Sequence, residues 1–558
     1  MLKFTDERLG NLLGLLKRRG ILAPAFEIHG GAKGLYEYGP IGGRLLRNLS
    51  NQWVEHFTSL GDIVEISSPT VTPYAVLEAS GHVGEFTDST VTCIECHAIS
   101  RADHLLAEEL NPDNLTSSQL STIFLDNPPE CPECGSTKWS EVTTTNLMFN
   151  TNLGIASSAK PAFLRPETAQ GMFTSFSSIY RHFREKLPFG AMQVGKGYRN
   201  EISPRQGMIR LREFNMAEIE YFIDPNIPKY ERDLESNHKI MMVPEDGEER
   251  EYTITEALEK GIVKHPVVGF FLAETVSFLI DIGIDLSLLR LRQHQTNEMA
   301  HYAQDCWDVE LFGSYGWIEC VGVAHRGCFD LEAHEKATNQ RLRAWRDFSE
   351  PKEVSKKGWT IDGSRAGPAF REHSPAVKTY VESLPEETKF PQVYHIGKEE
   401  LLIAEEHVKR IDIKNTINGE WFLPHVVEPA FGLDRIMWHI IDHAYFQQEK
   451  EGSAYHSLRL SNLVTPMNCA VFPLFDKDGM GEMAKTIHKS LNKLSNFSSF
   501  YDASGSIGRR YARADEIGIP FCITIDHQSL DDESVTIRYR DSGEQERLSI
   551  GKLEAFLR

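Results

Sequence analysis

Leu45, Leu49, Trp53 and Phe57 recur at intervals of four, so Ile41 to Ser59 reads as a helix with one apolar stripe. Glu7 to Arg19 shows the same amphipathic spacing. Between them lies a turn-rich segment with Gly30, Gly31, Gly34, Gly39 and Pro40. Asp62 to Thr72 carries Ile63, Val64, Ile66 and Val71 and predicts a strand ending near Pro69. Met192 to Glu201 and Ile209 to Phe222 predict paired strands, joined by a loop over Ile202 to Met208 that holds Pro204 and Gly207. Val267 to Leu289 is the most apolar stretch. Glu274, Asp281 and Asp285 interrupt it, which predicts a packed helix and not a bilayer span. Ile318 to Val323 reads as a short buried strand, and Val426 to His443 as a strand-turn-helix unit.

Polar stretches divide these elements. Residues 88 to 140 look like a small insertion. Residues 225 to 266 are charged, broken by Pro225, Pro228 and Pro244, and include the acidic run Glu245 to Glu251. They predict a second insertion or mobile arm, extending to about residue 290. Gln447 to Ser457 reads as a linker. Beyond it strands and helices alternate: Asn468 to Pro473, Met480 to Leu494, Ser499 to Tyr501, Gly508 to Ile517, Phe521 to Ile525. That alternation predicts a separate α/β domain at 460–558, after a main domain at 1–455. There is no internal repeat and no low-complexity tract.

The chain has 558 residues, 41% hydrophobic and 25% charged, an ordinary globular composition that excludes disordered and fibrous classes. Its net charge of -21 excludes a general polycation, so a nucleic-acid partner would need locally clustered basic residues. No run predicts a membrane span. Asp6 and Glu7 sit early, with Lys17, Arg18 and Arg19 after the apolar run, which argues against a signal peptide. The expected location is cytoplasmic. Nine cysteines, in two close pairs and five scattered positions, suggest a reducing compartment and a metal site.

Those pairs are Cys93-x-x-Cys96 and Cys131-x-x-Cys134. Two-residue spacing brings both thiolates of a pair to one ion, and two pairs complete a tetrahedral zinc shell. Gly135 suits the turn after the second ligand of its pair. Four protein ligands leave no open position, so the zinc would be structural; the alternative is four buried cysteines without metal. Two other motifs are decoys. Gly190 to Gly197 nearly matches a phosphate-cradling loop but lacks the Ser or Thr for magnesium, and its centre reads as a strand. His395-Ile396-Gly397 resembles a class I synthetase signature but is followed by Lys398 in place of a second His.

Period-two alternation places Arg199 with Glu201 on one face of the first paired strand. It places Arg210, Arg212, Phe214, Glu218 and Glu220 on one face of the second. Arginine forks suit phosphate, an aromatic face suits a purine, and carboxylates suit an ammonium group or magnesium. A salt-bridged surface hairpin is the competing reading.

Gly195 to Phe222 resembles motif 2 of class II aminoacyl-tRNA synthetases, with Tyr198, Arg199, Glu201, Arg210 and Phe214 in the pattern positions. Pro69 fits the looser motif 1, which in that class builds the dimer interface. Gly432-Leu-Asp-Arg435 fits motif 3. Within the class the chain is most similar to the homodimeric, archaeal and eukaryotic-like glycyl-tRNA synthetases. The matching runs are Tyr38-Gly-Pro40, Ser80-Gly-His82, Arg101-Ala-Asp-His104, Leu164 to Gly171, Arg199 to Arg205, Gly316 to Glu319 and Glu428-Pro-Ala-Phe-Gly432. Gly508 to Asp515 and Gly518-Ile-Pro520 resemble the anticodon-binding domain of the glycine, histidine, proline and threonine enzymes.

The resemblance implies an α+β fold: an antiparallel-sheet catalytic domain with insertions, plus a C-terminal α/β anticodon-binding domain. It implies attachment of glycine to tRNA(Gly) through a glycyl-adenylate, with ATP, Mg2+ and structural zinc, in a homodimer without membrane association. Arg199, Glu201 and Arg435 are the implied catalytic residues. Asn200, Ile209, Arg210, Phe214, Glu319, Cys320 and Gly432 join them around ATP. Arg101, Glu167, Phe214, Glu218, Arg326, Glu428, Ala430 and Gly432 are implied at glycine. Two positions depart from the pattern: Ala430 stands where Ser is common, and His325 where an acidic or other polar residue precedes the arginine. A proline or threonine enzyme is disfavoured by the runs at 164–171 and 428–430. A catalytically dead accessory paralogue is disfavoured by the presence of Arg199, Phe214 and Arg435.

Overall fold

A computed structural model describes residues 4–106, 115–202, 204, 207–226, 230, 232, 234, 238–295, 305–450 and 452–557. Residues 1–342 with 424–558 make one compact unit, and residues 343–423 another.

The centre of the larger unit is a nine-stranded sheet. In chain order its strands are β1 (Ile63–Glu65), β2 (Phe189–Tyr198), β3 (Glu213–Ile223), β4 (Ile240–Val243), β5 (Arg250–Tyr252), β6 (Leu289–Gln293), β7 (Asp305–Gly313), β8 (Gly316–Gly327) and β9 (His425–Gly432). Their spatial order is β5-β4-β6-β7-β8-β9-β3-β2-β1, antiparallel except for the β1–β2 and β4–β6 pairs. The charged stretch after residue 225 thus contributes edge strands and is no separate arm; Pro228 lies outside the described residues. The strand expected over Asp62 to Thr72 is broken. Ile63–Glu65 joins the large sheet, while Val71–Pro73 pairs with Lys160–Leu164, because Pro69 cannot donate to a continuous ladder.

Alternation along β3 sorts the two faces of the sheet. Ala217, Ile219 and Tyr221 enter the core, while Met216, Glu218 and Glu220 face the other way. The core side is covered by α1 (Asp6–Arg18), α2 (Gly42–Thr58), α3 (Pro266–Asp281) and α4 (Leu433–Ala444). The α2 stripe of Leu45, Leu49, Trp53 and Phe57 is fully buried, with Trp53 and Phe57 packed edge-on against Phe431 of β9. Pro266 sits at the first position of α3, and His265 Nδ1 accepts from Val267 N at 3.2 Å. Buried on nearly every side, α3 shields Glu274 with His56 at 3.2 Å. No described helix is long and apolar enough to cross a membrane.

The paired strands are shorter than the residue pattern predicts. β2 ends at Tyr198 and β3 begins at Glu213, so Arg199, Glu201, Arg210 and Arg212 lie on the connection, where strand alternation does not govern them. Ser203, Arg205 and Gln206 of that connection lie outside the described residues. The loop-like decoy Gly190 to Gly197 is part of β2. Its glycines make room: a Cβ on Gly195 would meet the Arg165 guanidinium at 2.1 Å, and one on Gly197 the Phe214 ring at 2.6 Å.

The expected linker Gln447 to Ser457 is an antiparallel hairpin, Tyr445–Lys450 with Ser453–Leu458, held by Tyr445 Oη and His456 Nδ1 at 2.8 Å. After it come β10 (Cys469–Pro473), α5 (Met480–Leu491), β11 (Ser499–Tyr501), α6 (Ile507–Glu516), β12 (Phe521–Ile525), β13 (Ser534–Tyr539) and β14 (Gln545–Ser549). The sheet order is β11-β10-β12-β13-β14; the last two strands are antiparallel additions beyond the α/β alternation.

The smaller unit, 343–423, has no boundary in the residue pattern. A long ribbon, Ala344–Ile361 against Val408–Phe422, carries two helices and the hairpin Gln392–Ile396 with Glu399–Ile403. Phe370, Val377, Val381 and Ile403 form its core. His395-Ile396-Gly397 lies at that hairpin's turn, not at the head of a helix.

Candidate active site

A cavity of about 290 Å³ opens on the polar face of the sheet, over β3, β8 and β9 and under the 199–212 connection. Arg101, Arg199, Glu201, Ile209, Arg210, Phe214, Glu218, Glu319, Cys320, Ala430, Gly432 and Arg435 line it. The guanidinium of Arg199 stands 5.5 Å from the Phe214 ring centre and 5.3 Å from that of Phe86. Arg435, in the first turn of α4, donates to the carbonyls of Glu319 at 2.6 Å and Ile209 at 3.2 Å. It therefore ties β8 to the motif 2 connection while its charge faces the cavity. Arg212 does not line the cavity: it donates to the Glu201 and Lys33 carbonyls and shapes the connection from behind.

Four expected residues do not line the cavity. Asn200 turns its backbone N–H to Leu147 O at 2.7 Å. Glu167, Arg326 and Glu428 stand behind the cavity wall in a buried ionic cluster. Arg326 donates to Glu428 at 2.7 Å and to Asp330 at 3.1 Å, and Glu167 contacts His82 at 3.3 Å and Gln170 at 3.0 Å. Arg326 is thus committed to carboxylates of the protein. Arg101 reaches the cavity from the cysteine-bearing insertion, held by Asp103 and Asp88.

This carboxylate group is crowded. Burial, then the charges of Glu428 and Glu167, pushes Glu218 up to about 8, although Thr168 N donates to it at 2.7 Å. Burial likewise raises Glu428 against the pull of Arg326. Glu220 is fully buried, and neither of its carboxylate oxygens has a hydrogen-bond partner among the described residues. Burial and the charge of Glu428 hold it well above the carboxylate range, so it is carried as a neutral acid. In Glu167, burial is outweighed by His82 and Arg326, and its carboxyl is held low. A wall of this kind favours an incoming cation.

The cavity also exposes residues that the motif reading did not assign to it, including Met216, Asn215 and Asp434. Met216 follows from alternation between Phe214 and Glu218. Asp434 lies within the motif 3 run without a role of its own there, and Asn215 has only the signal of adjacency to Phe214.

The cysteine-bearing insertion has its own small sheet, Thr87–Thr92, Ile99–Arg101 and Thr143–Asn146, and a core of Val91, Ala102, Leu120 and Phe124. Cys93, Cys96, Cys131 and Cys134 bring their sulfurs within 4.8 Å of one another, with Cys93–Cys134 and Cys96–Cys131 each at 3.7 Å. A tetrahedral ion with zinc–sulfur bonds of about 2.3 Å separates its ligands by about 3.8 Å, so the four thiols fit zinc. Both pairs form the same tight turn: His97 N donates to Cys93 O and Gly135 N to Cys131 O.

Residues 157–444 match the tRNA synthetase class II core domain (G, H, P, S and T), and residues 468–558 match the anticodon binding domain. Over 577 aligned residues the chain is 41% identical to the glycine–tRNA ligase of Methanococcus maripaludis strain C5, covering 99% of each chain. It is 41% identical to that of Methanocaldococcus jannaschii, covering 98% of each. Against that of Archaeoglobus fulgidus it is 40% identical, over 99% of this chain and 96% of the relative. With the sheet, the cavity and both domain matches in agreement along nearly its whole length, the chain belongs to the glycine–tRNA ligase family of class II aminoacyl-tRNA synthetases.

Proposed function

We propose that this chain activates glycine with ATP as glycyl-adenylate and transfers it to the 3′ end of tRNA(Gly). The observation that carries the reading is the convergence of Arg199, Phe214, Arg435 and Glu218 on one cavity. The first step is in-line attack of the glycine carboxylate on the α-phosphorus, with pyrophosphate leaving; it needs alignment and charge neutralisation. Arg199 neutralises the α-phosphate, Phe214 stacks on adenine, Glu201 faces its amino group, and Arg435 takes the γ-phosphate. Glu319 and the backbone of Cys320 hold the triphosphate side. Glu319 offers a hard oxygen ligand of the kind magnesium prefers, and a bound Mg2+ would neutralise phosphate charge.

Glycine presents only an ammonium group and a carboxylate. Glu218 is the carboxylate at the cavity surface for the ammonium, with Glu167 and Glu428 adding negative potential from behind. Arg326 acts through Glu428, and Arg101 serves the amino acid's carboxylate side. Ala430 offers no hydroxyl here, so the ammonium depends on the carboxylates. Zinc held by the four cysteines would brace the insertion that delivers Arg101. The C-terminal domain, 460–558, binds the tRNA anticodon arm. We further infer a homodimer, on the resemblance of the Pro69 segment to motif 1, and a cytoplasmic location, on the family resemblance as a whole.

Glycine-dependent exchange of pyrophosphate into ATP tests the reading. Arg199→Ala should slow it by about 2–4 kcal/mol of barrier, the loss of one preorganised charge donor. Near-normal exchange in that variant would overturn the assignment.

A further inference from the structure

Asp434 stands at the start of α4, beside Arg435, and is 2% exposed. Its carboxylate accepts from the Asn215 backbone N–H at 2.5 Å, from Asn215 Nδ2 at 2.9 Å and from the Tyr38 hydroxyl. The backbone bond has a topological cause. The β3–β9 pairing ends at Met216 opposite Gly432, because β9 turns there directly into α4. Asn215 is left with β2 on one side, opposite Lys196, and, among the described residues, no strand on the other. Asp434 supplies the missing acceptor, so a helix side chain continues the ladder for one more residue. An unpaired N–H at this half-buried position would cost about 1–3 kcal/mol.

Asn215 directly follows Phe214. Asp434 directly precedes Arg435, whose guanidinium donates to the Ile209 and Glu319 carbonyls of the same cavity's lining. One carboxylate therefore sets the spacing between the aromatic wall and the arginine wall. Tyr38 comes from the separate strand Tyr36–Tyr38 of the N-terminal segment. Burial, then the charge of Asp434, keeps its phenol protonated and donating.

We propose that Tyr38 is a positioning residue for ATP, acting through Asp434 and Asn215 on Phe214 and Arg435. This rests on the reading of the cavity as the ATP site. Tyr38→Phe removes one donor and keeps the ring. It should raise the KM for ATP in pyrophosphate exchange about tenfold or more, as expected for one lost hydrogen bond to a charged acceptor, and leave the KM for glycine within about twofold. Asp434→Ala, which removes the acceptor of all three bonds, should do more, and adding Tyr38→Phe to it should change the KM for ATP by less than about twofold, since the Tyr38 hydroxyl then has no carboxylate to act through. If ATP and glycine constants in Tyr38→Phe move together, or neither moves, the proposal is overturned while the cavity assignment stands. If Arg199→Ala exchanges normally, the cavity assignment falls first and this inference with it.

Discussion

Arg326 Nη1 donates to Glu428 at 2.7 Å, joining the end of β8 to β9 behind the cavity, with the Asp330 carboxylate on the same guanidinium. All three side chains are buried. Removing the cation leaves two buried carboxylates without a counter-charge. Arg326→Met should therefore destabilise the protein by about 3–5 kcal/mol, read as a lowered denaturation midpoint. A midpoint within error of the unsubstituted protein would refute the role given to this pair.

Glu218 makes a prediction with a definite sign. Its folded-state proton is held to about 8, against an ordinary 4.5, by burial and the neighbouring carboxylates. The folded state thus keeps the proton while the unfolded chain loses it. This group's contribution is most favourable below about 4.5 and is lost as pH rises toward about 8. Glycine's ammonium prefers the ionised form, so the KM for glycine should fall as pH rises to about 8. Glu218→Gln should abolish that slope and flatten the stability profile over the same window. An unchanged slope would exclude Glu218 as the titrating ligand.

Purified under reducing conditions without chelator, the protein should hold about one zinc per chain. Cys96→Ser should lower that content, measured by elemental analysis. It should loosen the 87–146 insertion before the main core, because that insertion has its own apolar cluster.

His97 and Gly135 occupy matching positions after the two cysteine pairs, with φ of 59° and 73°. Glycine suits that geometry and histidine does not. His97 is exposed, so His97→Gly loses no packing. It should stabilise the insertion by about 1 kcal/mol, read as slower zinc loss to a chelator. Faster loss would show that the imidazole itself supports the site.

The basic residues of the C-terminal domain divide into two groups. Arg510 is buried and donates to the carbonyls of Pro473, Leu474 and Gly505, and Arg513 is bound to Asp502. Lys485, Lys489, Lys493 and Arg509 are exposed. Changing these four to Ala should leave pyrophosphate exchange intact, weaken tRNA charging, and reduce its salt dependence by up to about four counterions' worth of slope. Arg510→Ala should instead lower thermal stability. Full-rate charging by the fourfold variant would remove these four residues from the tRNA interface.

Period-four and period-two patterns were enough to locate α1, α2, β9 with α4, and the C-terminal alternation, because each of these elements buries one face or nearly all of itself; α3 showed itself as an apolar run, but the helix stops at Asp281 and the run's end, Leu289, begins β6. The cysteine pairs also declared themselves, since ligand spacing within a tight turn is local chemistry. Motif residues such as Arg199, Phe214 and Arg435 were legible one by one. Their convergence was not, because Arg199 lies on a connection whose path is set by Arg212 and Arg435 holding distant carbonyls. Nor could the sequence show that Arg326, Glu167 and Glu428 stand behind the cavity, since that depends on which strands lie side by side across β8, β9 and β3. The role of Asp434 is of the same kind. It exists only because β9 ends opposite Met216 while β3 runs on to Glu213, and strand length in a sheet is decided by tertiary pairing, not by the residues of either strand alone.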